Sequence, residues 1–296
     1  MNPLNTAGPG TSHHSAETAK PSLHYLKGPV PLPALLLIAS SWALLWTQTS
    51  YWNPLFFAGT WLGAALLMYA AGPEGHPGWR RHLALSVVSV PLWWWFELVN
   101  SRVDNWEYVT LYDYGPVPYA VLASVTFSTV APALDAAWRL TAGLLAVSHT
   151  GRETSPGSTA YLIEAGTGGL AVALVFIVPD VFFPLVWVGP FMVFDGVIGR
   201  SGGRSLVDDV LHRRWRLPVA VGLAGLLCGV LWEFWNFWAT PRWTYHLAHF
   251  DYLDVFEMPA LGYLGYIPFA WGVYQLLRTQ PLEGYLSSSI GETEGS

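Results

Sequence analysis

Eight stretches of this chain are apolar and almost free of charge over about the length that a helix needs to cross a bilayer. Nothing else in the sequence limits the fold as strongly. A membrane-crossing helix takes about 20 apolar residues, and the stretches run roughly over Val30–Thr47, Pro54–Ala71, His82–Val99, Val117–Trp138, Tyr161–Val178, Val181–Ile198, Pro218–Trp238 and Val255–Leu277. The fourth and eighth are interrupted by prolines, glycines or acids. Only 11% of the 296 residues are charged and 52% are hydrophobic, whereas a soluble domain carries about a quarter charged residues. The expected class is therefore an all-α, polytopic membrane helical bundle with the lipid bilayer as its surroundings.

The charges that remain set an expected orientation. With eight spans, both termini share a side with the loops after the second, fourth and sixth. That side holds Lys20, Lys27, Arg80, Arg81, Arg139, Arg152, Arg200, Arg204, Arg213, Arg214, Arg216 and Arg278, while only Arg102 and Arg242 fall on the other. Basic loops favour the cytoplasmic face, so the expectation is a multi-pass protein of the cytoplasmic (inner) membrane, N-in and C-in. The net charge of −6 is spread over loops and tails and makes no nucleic-acid footprint. Cys228, the single cysteine, excludes an internal disulfide and a cysteine zinc cluster, and its glycine- and leucine-rich setting marks it as a small buried residue.

A motif occurs twice on this background. Glu97-Leu98-Val99-Asn100 and Glu233-Phe234-Trp235-Asn236 each put a carboxylate and a carboxamide three residues apart at the end of an apolar stretch. Each is followed by Trp-x-Tyr, as Trp106/Tyr108 and Trp243/Tyr245, the copies lying roughly 136 positions apart. Pro54, Leu55 and Gly59 match Pro184, Leu185 and Gly189, Ser86 and Ser89 match Gly222 and Gly225, and Pro132 matches Pro268. Four spans per half make such repeats parallel, about an axis along the membrane normal. The expected organisation is a disordered tail over 1–28, a four-helix repeat over 29–148, a cytoplasmic linker over 149–160, a second repeat over 161–280 and a polar tail over 281–296.

Residues three apart share a helix face, so pairing of the halves would gather Glu97, Asn100, Glu233 and Asn236 into a polar site toward the outer face. Glu97, Glu233 and Glu257 are candidate general acid/base groups. Asn100, Asn236, Trp106, Tyr108, Trp243, Tyr245, Arg102 and Arg242 are candidate substrate contacts. The structural alternative is that each Glu accepts bonds from Arg102 or Arg242, from tryptophan indoles or from loop backbone. His246, His249 and Asp251 carry side chains able to bind a divalent ion, yet the first copy has no histidine over 108–114 and no His-Glu-x-x-His is present. Asp195 is expected to pair with Arg200 or Arg204. Three functions stay open: an enzyme acting on a lipid or isoprenoid substrate, a small transporter or channel, and a non-catalytic assembly or scaffold protein. No cofactor is specified.

Trp232-Glu233-Phe234-Trp235-Asn236, Trp243-x-Tyr245 and Phe256-Glu257-Met258-Pro259-x-Leu261-Gly262-Tyr263-Leu264-Gly265-Tyr266-x-Pro268-Phe269-Ala270 resemble a pattern of bacterial multi-pass integral membrane proteins. No activity is attached to that family, so the resemblance implies membership of a membrane family and no chemistry. In architecture the chain is also similar to the small membrane-embedded carotenoid enzymes, which are compact duplicated bundles with acids inside the membrane.

Overall fold

A computed structural model describes residues 31–147, 158–247 and 253–288. Its elements are α1 (Leu32–Thr47), α2 (Asn53–Ala71), α3 (Trp79–Val103), β1 (Trp106–Val109), α4 (Pro116–Phe127), α5 (Val130–Leu144), α6 (Thr159–Ile177), α7 (Pro179–Phe182), α8 (Leu185–Arg200), α9 (Leu206–Leu211), α10 (Arg216–Asn236), β2 (Arg242–Tyr245), β3 (Asp254–Val255), β4 (Met258–Pro259), a 3-10 segment (Ala260–Gly265), α11 (Tyr266–Leu276) and α12 (Leu282–Ser288). The protein is mostly helical. Five helices are long and apolar enough to cross a membrane: α2, α3, the joined α4–α5, α6 and α10. The other three apolar stretches form shorter helices, namely α1 and α8 at 16 residues each and α11 at 11.

Proline marks the break between α4 and α5, whereas Pro91 and Pro190 sit inside α3 and α8 without ending them. Pro132 has no N–H to donate and its ring crowds the carbonyl four residues back; α4 gives way to α5 across Ser128 and Thr129. Pro268 sits in the first turn of α11, where the missing N–H costs nothing.

Small residues decide which helices touch. A Cβ on Gly168 would lie 2.6 Å from Gly189 O, and one on Gly196 would lie 2.6 Å from Tyr161 O, so α6 and α8 meet backbone to backbone. Gly63 does the same for α2 against the Ala34 carbonyl of α1, and Gly59 makes room for the Ser41 side chain. At the centre, α5 presents Ala133, Ala136 and Ala137 to Val221, Ala224 and Cys228 of α10, all fully or almost fully buried. Thr141 Oγ1 then donates to Ala220 O at 2.8 Å across that seam. Without a hydrophobic drive between helices in lipid, close packing of this kind is what holds them together.

Acids at the end of the bundle away from the repeated motif are consumed locally. Asp135, 1% exposed, accepts from Tyr69 Oη at 3.0 Å, Arg81 Nη2 at 3.0 Å and Arg139 Nε at 2.8 Å. Asp195, fully buried, accepts from the Leu206 N–H at 2.7 Å, from Ser205 Oγ and from the Gln275 amide. Rather than forming a simple arginine pair, it thus takes the free backbone donors that open α9, which a helix start always leaves over. Arg204 reaches Asp209 at 2.6 Å.

The expectation of helices alone omitted four short strands. The two Trp-x-Tyr segments are β1 and β2, paired antiparallel with Trp106 opposite Tyr245, Glu107 opposite Thr244, Tyr108 opposite Trp243 and Val109 opposite Arg242. Alternating aromatic residues suit a pleated ribbon better than a helix.

Candidate functional site

The doubled motif is a latch. In α10, the Asn236 side chain is fully buried, donates Nδ2 to Trp243 O at 2.7 Å and accepts the Trp243 N–H on Oδ1 at 2.8 Å. In α3, Asn100 donates to Trp106 O at 2.7 Å and accepts from the N–H groups of Asn105 and Trp106 at 2.9 and 3.2 Å. A two-stranded ribbon leaves backbone donors and acceptors on each outer edge, and buried ones must be satisfied. Each carboxamide does this in place of a third strand.

The glutamate three residues earlier lies on the same helix face and takes the tyrosine two residues further along the strand. Tyr108 Oη donates to Glu97 Oε1 at 2.7 Å, and Tyr245 Oη donates to Glu233 Oε1 at 2.7 Å. Burial, then the neighbouring carboxylate, pushes both phenols well above their usual range, so they remain protonated donors. Indoles add to each set: Trp93 and Trp106 donate to Glu97 Oε1 at 3.0 and 3.2 Å, and Trp243 donates to Tyr245 Oη at 2.8 Å. At Glu97 the indole donors match the structural alternative drawn from sequence, while in the second copy the indole bonds the tyrosine, and the arginines match in neither. Arg102 Nε donates to Phe176 O, and Arg242 pairs with Glu257 at 3.2 Å.

Tyr266, which sequence reasoning did not single out as a site residue, completes the second copy. Its hydroxyl donates to Glu233 Oε1 at 2.7 Å, leaving Glu233 Oε2 buried without a partner. The sequence did carry a signal for it: Gly229 stands four residues before Glu233, where the first copy has Trp93 four before Glu97.

Between the two latches lies a cavity of about 460 Å³, within the 300–1,000 Å³ common for ligand sites. Its wall is aromatic and aliphatic, drawn from both halves of the chain, with Trp93, Trp187, Trp232, Tyr119, Phe127 and Phe269 prominent. Of the candidate substrate contacts, Trp106, Tyr108, Trp243 and Tyr245 line it, whereas Asn100, Asn236, Arg102 and Arg242 do not. Glu97 and Glu233 stand behind the tyrosines and do not form its surface, and Glu257 is turned to Arg242. Among the described residues no Lys, Arg, His, Asp or Glu forms the wall.

Of the suggested metal ligands, only His246 lies among the described residues. His246 Nε2 lies 3.1 Å from Glu107 Oε1 on an exposed rim, while His249 and Asp251 fall outside the described residues. Among the described residues, no group of three or more His, Cys, Asp or Glu side chains could hold a metal ion. In comparisons with known proteins, the chain matches no family model, no curated protein and no solved structure.

Proposed function

We propose that the protein is an eight-span integral membrane protein, built as two parallel four-helix repeats with both termini in the cytoplasm, and that it acts on a lipid-soluble substrate held in the aromatic cavity. The two 16-residue helices, α1 and α8, suit this topology, while the 11-residue α11 needs the 3-10 segment Ala260–Gly265 before it to approach the same length. Sixteen residues of helix rise about 24 Å, a few ångströms less than the hydrocarbon core, and short spans are accommodated by local thinning or flanking residues at modest cost. The matching latches favour the repeat, since the same donor and acceptor atoms close both copies.

One observation carries the functional reading: a sizeable, mainly apolar cavity lined by Tyr108, Tyr245 and Tyr266, whose hydroxyls are wired to Glu97 and to the buried Glu233. A phenol facing the substrate with a carboxylate behind it can take a proton from the substrate while passing its own to the glutamate. Glu97 and Glu233 are then proton reservoirs, and Tyr108, Tyr245 and Tyr266 the groups in contact. Small-transporter function is the second reading, favoured by the breaks at Ser128–Thr129 and over Ala260–Gly265, beside the cavity in both halves; broken helices often line pathways.

Mass spectrometry of lipids retained by the purified protein tests the site. One lipid-soluble compound should be enriched with the wild type and lost from Ala123→Phe, which fills the cavity, at unchanged thermal stability. Equal retention by both proteins would remove the cavity from consideration. Glu233→Gln should retain the compound and stop its conversion under the enzyme reading, whereas flux in proteoliposomes without conversion would favour transport.

A further inference from the structure

We infer that the cavity selects an uncharged lipid-soluble alcohol, an apolar chain carrying a hydroxyl donor, and rejects the corresponding phosphate. This rests on the ligand-binding reading of the same cavity and specifies its ligand.

The selectivity follows from which hydrogen-bonding capacity remains in the wall. The Tyr108, Tyr245 and Tyr266 protons are already given to Glu97 and Glu233. What these phenols can still offer a ligand is the oxygen lone pairs, and Tyr245 has one of those taken by the Trp243 indole. Asn53 adds a further acceptor. It lines the cavity and is fully buried. Its amide orientation is fixed because Nδ2 donates to Gln48 O at 2.6 Å, so Oδ1 is the atom left without a hydrogen-bond partner. A buried acceptor with no donor costs about 1–3 kcal/mol, and a ligand hydroxyl would relieve that.

An anionic headgroup meets the opposite situation. No basic side chain forms the wall among the described residues, and the groups to which its phenols are bonded are the carboxylates of Glu97 and Glu233. The guanidinium closest in sequence to the second latch, Arg242, is engaged by Glu257 and Phe237 O. A phosphate would enter a low-dielectric space with no counter-charge, where the unpartnered Tyr114 hydroxyl is a neutral donor that cannot balance its charge, which is the costly way to bury an ion. A plain hydrocarbon would fit the walls and leave the acceptors unpaired.

Farnesol, farnesyl monophosphate and farnesane share a carbon skeleton and differ at one end, so they isolate this term. Binding to the full chain in detergent can be followed by tryptophan fluorescence, because tryptophans line the wall. Farnesol is expected to bind at least about tenfold more tightly than either other probe, about 1.4 kcal/mol. Tyr266→Phe or Asn53→Leu should reduce farnesol to the farnesane level without changing farnesane binding, and whichever does so locates the hydroxyl. Equal binding of all three probes, tighter binding of the phosphate, or farnesol binding untouched by both variants would overturn the inference while leaving a lipid cavity in place. Binding of none of the three would instead remove the ligand-binding reading itself.

Discussion

Tyr266 occupies the place that a side chain at residue 229 would need. A Cβ on Gly229 would clash with the Tyr266 ring, and that ring carries the hydroxyl that reaches Glu233 at 2.7 Å. In the first copy the equivalent position is Trp93, whose indole bonds Glu97 directly at 3.0 Å. The two latches thus solve one problem differently, with an indole on the same helix in one and a phenol from a neighbouring helix in the other.

Gly229→Ala should destabilise the protein by about 1–3 kcal/mol, the usual cost of forcing a methyl into a packed core. Thermal unfolding in detergent would show it. Tyr266→Ala, which removes the clashing ring, should recover part of the loss in the double variant. Additive losses from the two changes would mean that the residues do not press on each other.

Removing a latch carboxamide should cost more than its small size suggests. Asn236→Ala leaves the part-buried N–H and C=O of Trp243 without their side-chain partners, for a loss of about 1–3 kcal/mol. Asn236→Asp keeps the acceptor for the N–H but sets an oxygen against Trp243 O, so it should be no better than Asn236→Ala at neutral pH. Denaturation midpoints for the pair would decide the matter.

Asp135 neutralises two arginines, and its removal would leave both without that partner. Asp135→Asn should destabilise by about 3–5 kcal/mol, the range for breaking a buried ion pair from one side. By contrast, Glu107→Gln breaks an exposed pair with His246, both side chains more than half exposed at 58% and 55%, and should move stability by under about 1 kcal/mol. Finding the two variants equally stable would contradict the burial described for Asp135.

Orientation has a direct readout. In a Cys228→Ser background, a membrane-impermeant maleimide applied from outside should label Glu107→Cys and spare Arg213→Cys. Cys228 itself is fully buried, so the wild type should label poorly from either side. Reversed labelling would invert the topology, and with it the face at which the cavity opens.

The linear pattern alone determined a good deal. Apolar run length sets which segments become helices, because in a bilayer the backbone must satisfy itself within the segment; five of the helices are long enough to cross, while the last stretch opens as short strands and a 3-10 segment before α11. The spacing of Glu97, Asn100, Trp106 and Tyr108, repeated at Glu233, Asn236, Trp243 and Tyr245, marked the residues that touch, since i and i+3 share a helix face and alternate residues share a strand face. The alternation of Trp and Tyr suits a strand, yet no strand is expected there, because four residues of strand are stable only against a partner. That partner is some 136 positions away.

Tertiary structure decided the rest. Glu107 lies opposite Thr244 because the helix ends bring the two loops together, and Tyr266 reaches Glu233 because Gly229 admits its ring. Whether Glu97 and Glu233 face a cavity or stand behind it depends on where those phenols sit. A hydrogen bond needs its atoms within about 3 Å, and chain spacing fixes positions that finely only between near neighbours.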